Sequence, residues 1–302
     1  MSFTAEDVKK LREKSGCGMM DCKKALSHSN GDEQGAIDFL REKGLAAATK
    51  KATRIATEGI AYSMSNRSGG AIIEINSETD FVAKNQEFKD FVKQCAETVI
   101  EQKPKDLDSL LACKLDDSNK TLSDLVTEKI LKIGENIKIR RFEYVEGLSS
   151  SYVHADGKIA VLVSFKCDSD IFANDTFKMM SHDIAMQVAA INPLYLKKED
   201  VPADVLEHEK QILTEQAISQ GKPKEIAARM VEGRIGKYYK ENCLLEQEFV
   251  KDSSMTVSQY IEKMMHSIGC DLSLTRFIRF ERGEGLEKKS ENFADEVSKI
   301  LR

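Results

Sequence analysis

The stretch that decides the fold runs from residue 60 to residue 85 and reads IAYSMSNRSGGAIIEINSETDFVAKN. Residues 60–65 and 71–76 are rich in apolar and β-branched side chains, which is typical of strands. The residues between them, 66–70, include asparagine, serine and two glycines and favour a turn. The two strands are therefore predicted to form a β-hairpin.

Helical spacing begins after this hairpin. Five apolar residues predict a buried helix face, and Pro104 stands just beyond its end. They are Phe88, Phe91, Val92, Cys95 and Val99. A further helix is predicted around residues 122–133 and a returning strand over 137–145. A hairpin, helices and a returning strand together predict an α+β unit with an antiparallel sheet.

The first 54 residues predict a compact unit of three helices. Their boundaries follow from capping residues and from glycines that interrupt helices. Thr4 and Asp32 are the predicted caps, Asn30-Gly31 is a turn, and Gly16, Gly18 and Gly44 are the predicted breaks. Residues 46–56 are predicted to form a helical or frayed linker to the next unit.

From about residue 150 the order of elements begins again, with strands near 152–153 and 159–165 and a helix over 177–190. Two short matches accompany this order. The segment Thr79-Asp80-Phe81-Val82-Ala83 parallels Ser169-Asp170-Ile171-Phe172-Ala173, and residues 141–147 parallel 279–285. We interpret this as an internal duplication, although short matches also arise by chance.

The second unit carries an insertion. Residues 205–219 and 224–239 are strongly helical and are separated by Gly-Lys-Pro at 221–223, so an antiparallel helical hairpin is predicted to project from the body. After a returning strand at 274–280, the tail is predicted to end in an amphipathic helix that docks on its own body or on a partner. The apolar stripe of that helix is Phe293, Val297, Ile300 and Leu301.

Composition limits the classes of function. Of the 302 residues 41% are hydrophobic and 31% are charged, and no apolar run approaches the roughly 18 residues that span a bilayer. The first ten residues lack the apolar stretch of a secretory signal, so the cytosol is the expected location and no membrane partner is expected. A net charge of −5 argues against a nucleic-acid-coating surface and favours protein partners.

The sequence offers little catalytic chemistry. Seven scattered cysteines predict reduced thiols, and no cysteine or histidine cluster completes a metal site. There is no P-loop, no nucleophile elbow and no His-Glu-x-x-His helix. Gly16-Cys17-Gly18 is interpreted as helix punctuation, because a dinucleotide fingerprint needs a third glycine. We therefore predict that the chain is not an enzyme and binds neither a cofactor nor a nucleotide by itself.

The most unusual segment, residues 77–85, places an apolar pair among acidic and capping residues. By pattern alone, the favoured interpretation is that Phe81 packs back on its own sheet while Thr79 or Asp80 caps a helix. The alternative is a protruding turn whose aromatic side chain enters a partner's pocket, because aromatic residues anchor many interfaces.

A resemblance to a known family favours the second interpretation. The residues 79–85, TDFVAKN, are similar to the signature segment of the elongation factor Ts family. Four further matches follow the order of that family along the chain. They are GCGMMDCKKAL at 16–26, IGENIKIRR at 133–141, GKP at 221–223 with MVEG at 230–233, and the segment 277–287 with its Gly-Glu-Gly.

The resemblance implies an α+β architecture with a ubiquitin-associated-like three-helix domain over 1–54. It further implies a duplicated core with halves at 55–147 and 148–285, a coiled-coil hairpin inserted at about 203–242, and a C-terminal helical module at 286–302. The implied function is guanine-nucleotide exchange on elongation factor Tu, a GTPase of translation.

The resemblance also implies which residues act. Thr79, Asp80, Phe81 and Val82 would disturb the partner's magnesium site, with the phenylalanine acting as a wedge. Other implied partner contacts are Arg12, Met19, Met20, Lys23, Ile133, Gly134 and Gln187. Gln187 stands where many family members carry histidine, so a titratable role there is in doubt. The rival from another class is an adaptor that holds partners without changing nucleotide affinity.

Overall fold

The computed structural model describes residues 3–15, 17–115, 120–221 and 223–287. The predicted C-terminal helix and its apolar stripe lie outside these residues. The chain begins with three helices, α1 (Ala5–Ser15), α2 (Met19–His28) and α3 (Glu33–Lys51). Both predicted caps are present, since Thr4 Oγ1 accepts from Asp7 N at 3.3 Å and Asp32 Oδ2 accepts from Gly35 N at 2.7 Å.

The first half of the core contains the predicted hairpin, helices and returning strand. Its elements in chain order are β1 (Glu58–Asn66), β2 (Gly69–Ser77), α4 (Asp80–Lys84), α5 (Gln86–Gln102), α6 (Leu107–Leu111), α7 (Leu122–Ile133) and β3 (Lys138–Glu146). The strands form an antiparallel sheet, here called sheet 1, in the order β1-β2-β3.

The second half repeats this order with additions. Its elements are β4 (Ser149–His154), β5 (Ile159–Cys167), α8 (Asp175–Ile191), α9 (Ala203–Ser219), α10 (Lys224–Asn242), β6 (Glu248–Phe249), β7 (Asp252–Thr256), α11 (Val257–Ile268) and β8 (Leu272–Glu281). The antiparallel sheet 2 has the order β4-β5-β8, and α9 with α10 form the predicted helical hairpin. The short β6-β7 ladder and α11 were not predicted.

The prediction that Gly44 ends the third helix is wrong. Helix α3 continues to Lys51, and Gly44 is buried where α3 crosses α7. A Cβ atom on Gly44 would lie 2.9 Å from Thr127 Cγ2. The glycine therefore permits a close helix crossing instead of a break. An ion pair between Arg41 and Asp124, at 2.9 Å, fastens the same two helices.

Replacing Gly44 by leucine should therefore destabilise the chain. The added side chain collides with α7, and overpacking of this kind costs about 1–3 kcal/mol. Urea unfolding measures the change. The matched control is Gly233→Leu in α10, where an added Cβ meets nothing within 4 Å of the described residues. That substitution removes a glycine from an open helix and should be neutral or slightly stabilising. Equal loss in both variants would contradict the packing role of Gly44.

The two halves share details beyond the order of their elements. Helices α5 and α8 each have 17 residues and are capped by Asn85 and Asn174. Both helices end at a residue in the left-handed region, Lys103 and Asn192. Each nine-residue central strand shifts register after its sixth residue, between residues 74 and 75 in β2 and between 164 and 165 in β5. These parallels support the duplication, which stays a prediction.

The core is a four-layer arrangement of helix, sheet, sheet and helix. One apolar cluster joins sheet 1 to α5 and α7, and a second joins sheet 2 to α8 and α11. A third cluster fills the space between the sheets. Its buried members are Ala61, Ile72, Ala160, Leu162, Ile278 and Phe280. Because both faces of each sheet are covered, the central strand β2 is buried along its whole length.

A buried carboxylate joins the two halves. Glu74 of β2 is 0% exposed and accepts hydrogen bonds from Arg140 Nη1 at 3.0 Å and Arg141 Nε at 2.6 Å. It also accepts from the backbone N–H of Gly283, just after β8, at 2.8 Å, and from Asn76 Nδ2 at 3.1 Å. The first half of the core thereby holds the end of the second half in place.

Candidate functional site

The 77–85 segment contains a single helical turn on the surface. Thr79 caps α4 by accepting a hydrogen bond from Val82 N at 3.4 Å, and Asn85 caps α5 by accepting from Glu87 N at 2.8 Å. Val82 and Ala83 pack inward on the core of sheet 1. Successive helical residues point about 100° apart, so the turn that buries Val82 directs Phe81 away from the core.

Phe81 is 81% exposed and is the most exposed large apolar side chain in the described part of the chain. The favoured prediction from pattern, that Phe81 packs on its own sheet, is therefore wrong. Its inward neighbours Val82 and Ala83 already occupy the adjoining core surface. An aromatic ring held in water loses the free energy of burial, and it can recover that free energy only against another molecule.

The backbone of this turn is held by Glu135, which follows the end of α7. Its Oε2 accepts from Glu78 N at 3.0 Å and Thr79 N at 3.1 Å, and its Oε1 accepts from Thr79 Oγ1 at 2.7 Å. Gly134 makes this approach possible, because its φ of +86° turns the chain out of the helix. The carboxylate therefore presets the conformation from which Phe81 projects.

A second set of contacts joins the same two segments, with the side chain of Glu78 as the acceptor. Glu78 Oε1 accepts from Asn136 N at 2.7 Å, and the amide of Asn136 donates to the carbonyl of Arg54 at 2.8 Å. Sequence reasoning missed Glu78, Glu135 and Asn136 as parts of the site. The available signal was that Glu135 and Asn136 stand inside the matched IGEN segment. No spacing rule connects residues 78 and 135, since only the sheet brings them together.

Removing the Glu135 carboxylate should loosen this turn. In Glu135→Ala the amides of Glu78 and Thr79 lose a charged acceptor that is worth about 1.5–3 kcal/mol per bond. We expect their hydrogen exchange with solvent to accelerate about tenfold or more. Hydrogen–deuterium exchange followed by NMR measures it. The amide of Gly35, which donates to the remote carboxylate of Asp32, serves as an internal control. Unchanged protection at residues 78 and 79 would refute the anchoring role.

Asp80 presents a charged group beside the exposed ring. Its Oδ2 accepts from Lys84 Nζ at 2.6 Å, one helical turn further along α4. This hydrogen bond is the main reason why the pKa of Asp80 lies below its ordinary value. The carboxyl is therefore ionised at neutral pH. The surface that the turn offers is an aromatic ring flanked by a carboxylate and an ammonium group.

The structure brings some of the other predicted contact residues to the same place. Gly134 is exposed and Ile133 is partly buried on the core, and both directly precede Glu135. Arg12, Met19, Met20 and Lys23 are all exposed on α1 and α2, with Met20 at 62%. Helix α3 of the three-helix unit packs against α7 at Gly44, and Gly134 ends α7.

Gln187 does not belong to this surface. Its side chain is 0% exposed, and its amide is used inside the chain. Nε2 donates to Gln247 Oε1 at 3.2 Å and to the carbonyl of Glu248 at 3.1 Å, while Oε1 accepts from Val250 N at 2.8 Å. The prediction of a partner contact at Gln187 is contradicted by this burial. Gln187 instead fastens the segment that contains β6 to α8.

Comparison with known proteins identifies the relatives of this chain. Residues 78–284 match the family model described as elongation factor TS. The chain belongs to the elongation factor Ts family. The matched region of the chain begins at Glu78, inside the 77–85 segment, and ends at Glu284, whose carboxylate accepts a hydrogen bond from Arg141 beside the buried Glu74. Membership places the chain among the elongation factors of protein synthesis.

Curated relatives extend the match to almost the whole chain. The elongation factor Ts of Clostridium perfringens (strain SM101 / Type A) is 48% identical over 303 residues, covering 99% of each chain. That of Clostridium kluyveri is 47% identical over 305 residues with the same coverage. That of Trichlorobacter lovleyi is 48% identical over 305 residues, 99% of this chain and 98% of the relative. No helix in the described ranges is long and apolar enough to cross a membrane.

Proposed function

We propose that this chain is a guanine-nucleotide exchange factor that binds elongation factor Tu in its GDP form and promotes GDP release, so that GTP can rebind. The observation that carries the proposal is Phe81, which is 81% exposed on a helical turn that Glu135 holds in shape. Exposed aromatic residues on a held turn are suited to anchor a protein–protein interface. Family membership supports elongation factor Tu as the partner.

The proposed mechanism uses the turn as a wedge. Phe81 enters a pocket of the partner near its magnesium site. The turn keeps its conformation because Val82 packs on the core and Thr79 is hydrogen-bonded to Glu135. The magnesium ion balances the charge of the diphosphate, so a displaced ion leaves the nucleotide weakly held. Asp80, ionised beside the ring, would bring to the magnesium site a carboxylate, a group that hard cations bind.

Thermodynamic linkage sets what this contact must achieve. A protein that binds the nucleotide-free GTPase more tightly than the GDP-bound form lowers the affinity of the GTPase for GDP by the same ratio. The exchange must pass through a complex in which both ligands are bound. A preset turn favours this step, since little conformational entropy is lost when it docks. Glu135 therefore contributes to exchange as a positioning residue.

The other parts of the chain fit a docking role under this proposal. The exposed side chains of Arg12, Met19, Met20 and Lys23 would bind the partner through the family's ubiquitin-associated-like domain, at residues 1–54. Ile133 and Gly134 would form a contact continuous with the wedge. The core halves, at 55–147 and 148–285, carry these surfaces, and the hairpin insertion lies at about 203–242. The proposed location is the cytoplasm.

The deciding experiment measures release of fluorescent GDP from purified elongation factor Tu, with and without the full chain. We expect substoichiometric amounts of the chain to accelerate release in the presence of magnesium. The same chain should show no binding of GDP by itself in equilibrium dialysis, and no hydrolysis of GTP. Stable binding to the partner with an unchanged release rate would favour the adaptor instead. Micromolar binding of GDP to the isolated chain would contradict the proposal that only the partner binds the nucleotide.

A further inference from the structure

Two of the seven cysteines are in contact at one end of sheet 2. Cys167 is the last residue of β5, and Cys270 lies between α11 and β8. Their Sγ atoms are 3.3 Å apart, although 103 residues separate them along the chain. The contact is a thiol–thiol hydrogen bond with reduced cysteines on both sides.

The backbone brings these sulfurs together. In the β5-β8 ladder Cys167 is paired with Leu272, the first residue of β8, so Cys270 stands two residues before the paired part of β8. Gly269, with a φ of +78°, ends α11 and turns the chain toward that ladder. The ladder therefore fixes the position of Cys167, and the short connection from Gly269 to Leu272 places Cys270 beside it.

Accessibility singles out the same pair. All seven cysteines lie within the described residues, and five of them are buried. Cys167 and Cys270 are the two that remain partly exposed. A small molecule in solution therefore meets the pair that is already in contact, while the other thiols are shielded. The exchange mechanism proposed above does not use this pair.

We propose that Cys167 and Cys270 form a site of reversible oxidation, at which a low-molecular-weight disulfide such as glutathione disulfide converts the two thiols into an intramolecular disulfide bond. The sulfurs must approach each other by about 1.2 Å to reach the bonding distance of about 2.05 Å. The bond fastens the end of α11 to β5 and closes a loop that contains α8, the helical hairpin and α11.

The reaction balances as two thiol–disulfide exchanges. The thiolate of one cysteine attacks glutathione disulfide, forms a mixed disulfide and releases one glutathione thiolate. The second cysteine then attacks the protein sulfur of the mixed disulfide and releases the other glutathione. The two protein thiols lose two electrons and two protons, and glutathione disulfide becomes two glutathione molecules. Added dithiothreitol reduces the protein disulfide back to two thiols and is itself converted to a cyclic disulfide.

The resting state of the pair is reduced. Burial, followed by the hydrogen bond with Cys167, raises the pKa of Cys270 to about 11. Little of the Cys270 thiol is ionised at neutral pH, so an attack that begins at Cys270 is slow without a sustained excess of oxidant. Experiments on this pair therefore need incubations of hours.

Mass spectrometry of the full chain tests the proposal. The protein is incubated with glutathione disulfide, free thiols are blocked with N-ethylmaleimide, and the chain is digested without reduction. We expect a cross-linked peptide that joins Cys167 to Cys270 and is two hydrogens lighter than its two thiol components. Dithiothreitol before blocking should abolish it. A stable glutathione adduct on either residue with no cross-link, or first reaction at a buried cysteine, would overturn the proposal.

Single substitutions distinguish the bridge from general thiol reactivity. In Cys167→Ser and in Cys270→Ser the remaining cysteine should stop at the mixed disulfide with glutathione. The matched control is Cys95→Ser, which removes a thiol that is 0% exposed and should leave the cross-link unchanged. In urea all seven thiols become accessible, and the selectivity should disappear. A native protein that gives the same mixture as the unfolded chain would contradict the site.

Discussion

Phe81→Ala is expected to slow the proposed stimulation of GDP release from elongation factor Tu at least about tenfold, while thermal stability stays nearly unchanged. A buried phenylalanine cut to alanine costs about 3–5 kcal/mol of folding free energy. Phe81 is 81% exposed, so this cost does not arise. Loss of an interface anchor removes ~2 kcal/mol or more, and each ~1.4 kcal/mol is a tenfold change in rate.

Stopped-flow fluorescence of labelled GDP measures the rate, and calorimetry measures the melting temperature, which should move by about 2 °C at most. Asp80→Ala should act in the same direction as Phe81→Ala. The matched control is Met179→Ala on α8, a large apolar side chain that is also exposed, at 53%. This control should exchange as the parent does. A Phe81→Ala variant that melts several degrees lower yet stimulates GDP release normally would show that Phe81 is a core residue and not an interface anchor.

Magnesium distinguishes the proposed mechanism from simple loss of binding. If the wedge acts by disturbing the metal of the partner, chelating Mg²⁺ accelerates spontaneous GDP release by itself. The difference in the rate of GDP release between the parent chain and Phe81→Ala should then become smaller as the free magnesium concentration falls. A difference that stays constant over the whole magnesium titration would show that the ring acts on the nucleotide without involving the metal.

Glu74→Ala is expected to have the largest effect on stability, with a loss of about 3–5 kcal/mol in the free energy of unfolding. The substitution leaves Arg140 and Arg141 without the carboxylate that they share, and it removes the acceptor of Gly283 N. Breaking a buried ion pair by removing one partner leaves an uncompensated charge. Urea unfolding of the variant measures the loss.

The control for this prediction is Glu146→Ala, at the end of β3. Glu146 pairs with Lys103 at 2.7 Å, but its side chain is 77% exposed, so water replaces the lost contact. Little change in stability is expected. An equal free energy of unfolding in Glu74→Ala and Glu146→Ala would show that the hydrogen bonds of Glu74 do not stabilise the contact between the two halves of the core.

The same carboxylate predicts how stability depends on pH. Burial by itself raises the pKa of Glu74, but hydrogen bonds from Gly283, Asn76 and the two arginines outweigh burial and hold the pKa below the ordinary value of 4.5. A depressed pKa gives stability that is present above pH 4.5 and is lost as the pH falls through the folded-state value. Urea midpoints between pH 6 and pH 3 should decline more steeply in the parent chain than in Glu74→Gln.

Local sequence predicted the secondary structure well where the signals are themselves local. The hairpin of β1 and β2, the helical face that begins at Phe88 and the caps at Thr4 and Asp32 all depend on residues within a few positions. The β6-β7 ladder was missed because its strands are too short to show a period. Gly44 was misread because a glycine in a helix looks like a break until a second helix lies against it.

The family, and with it the identity of the 77–85 segment, followed from sequence alone, since short motifs in a fixed order are a property of the chain. Tertiary structure alone decided which way Phe81 faces, that Glu135 holds its turn, and that Gln187 is buried. The physical reason is that exposure and hydrogen-bond partners depend on which distant residues share a space. Residues 78 and 135 meet because β2 pairs with β3, and no local pattern encodes that pairing.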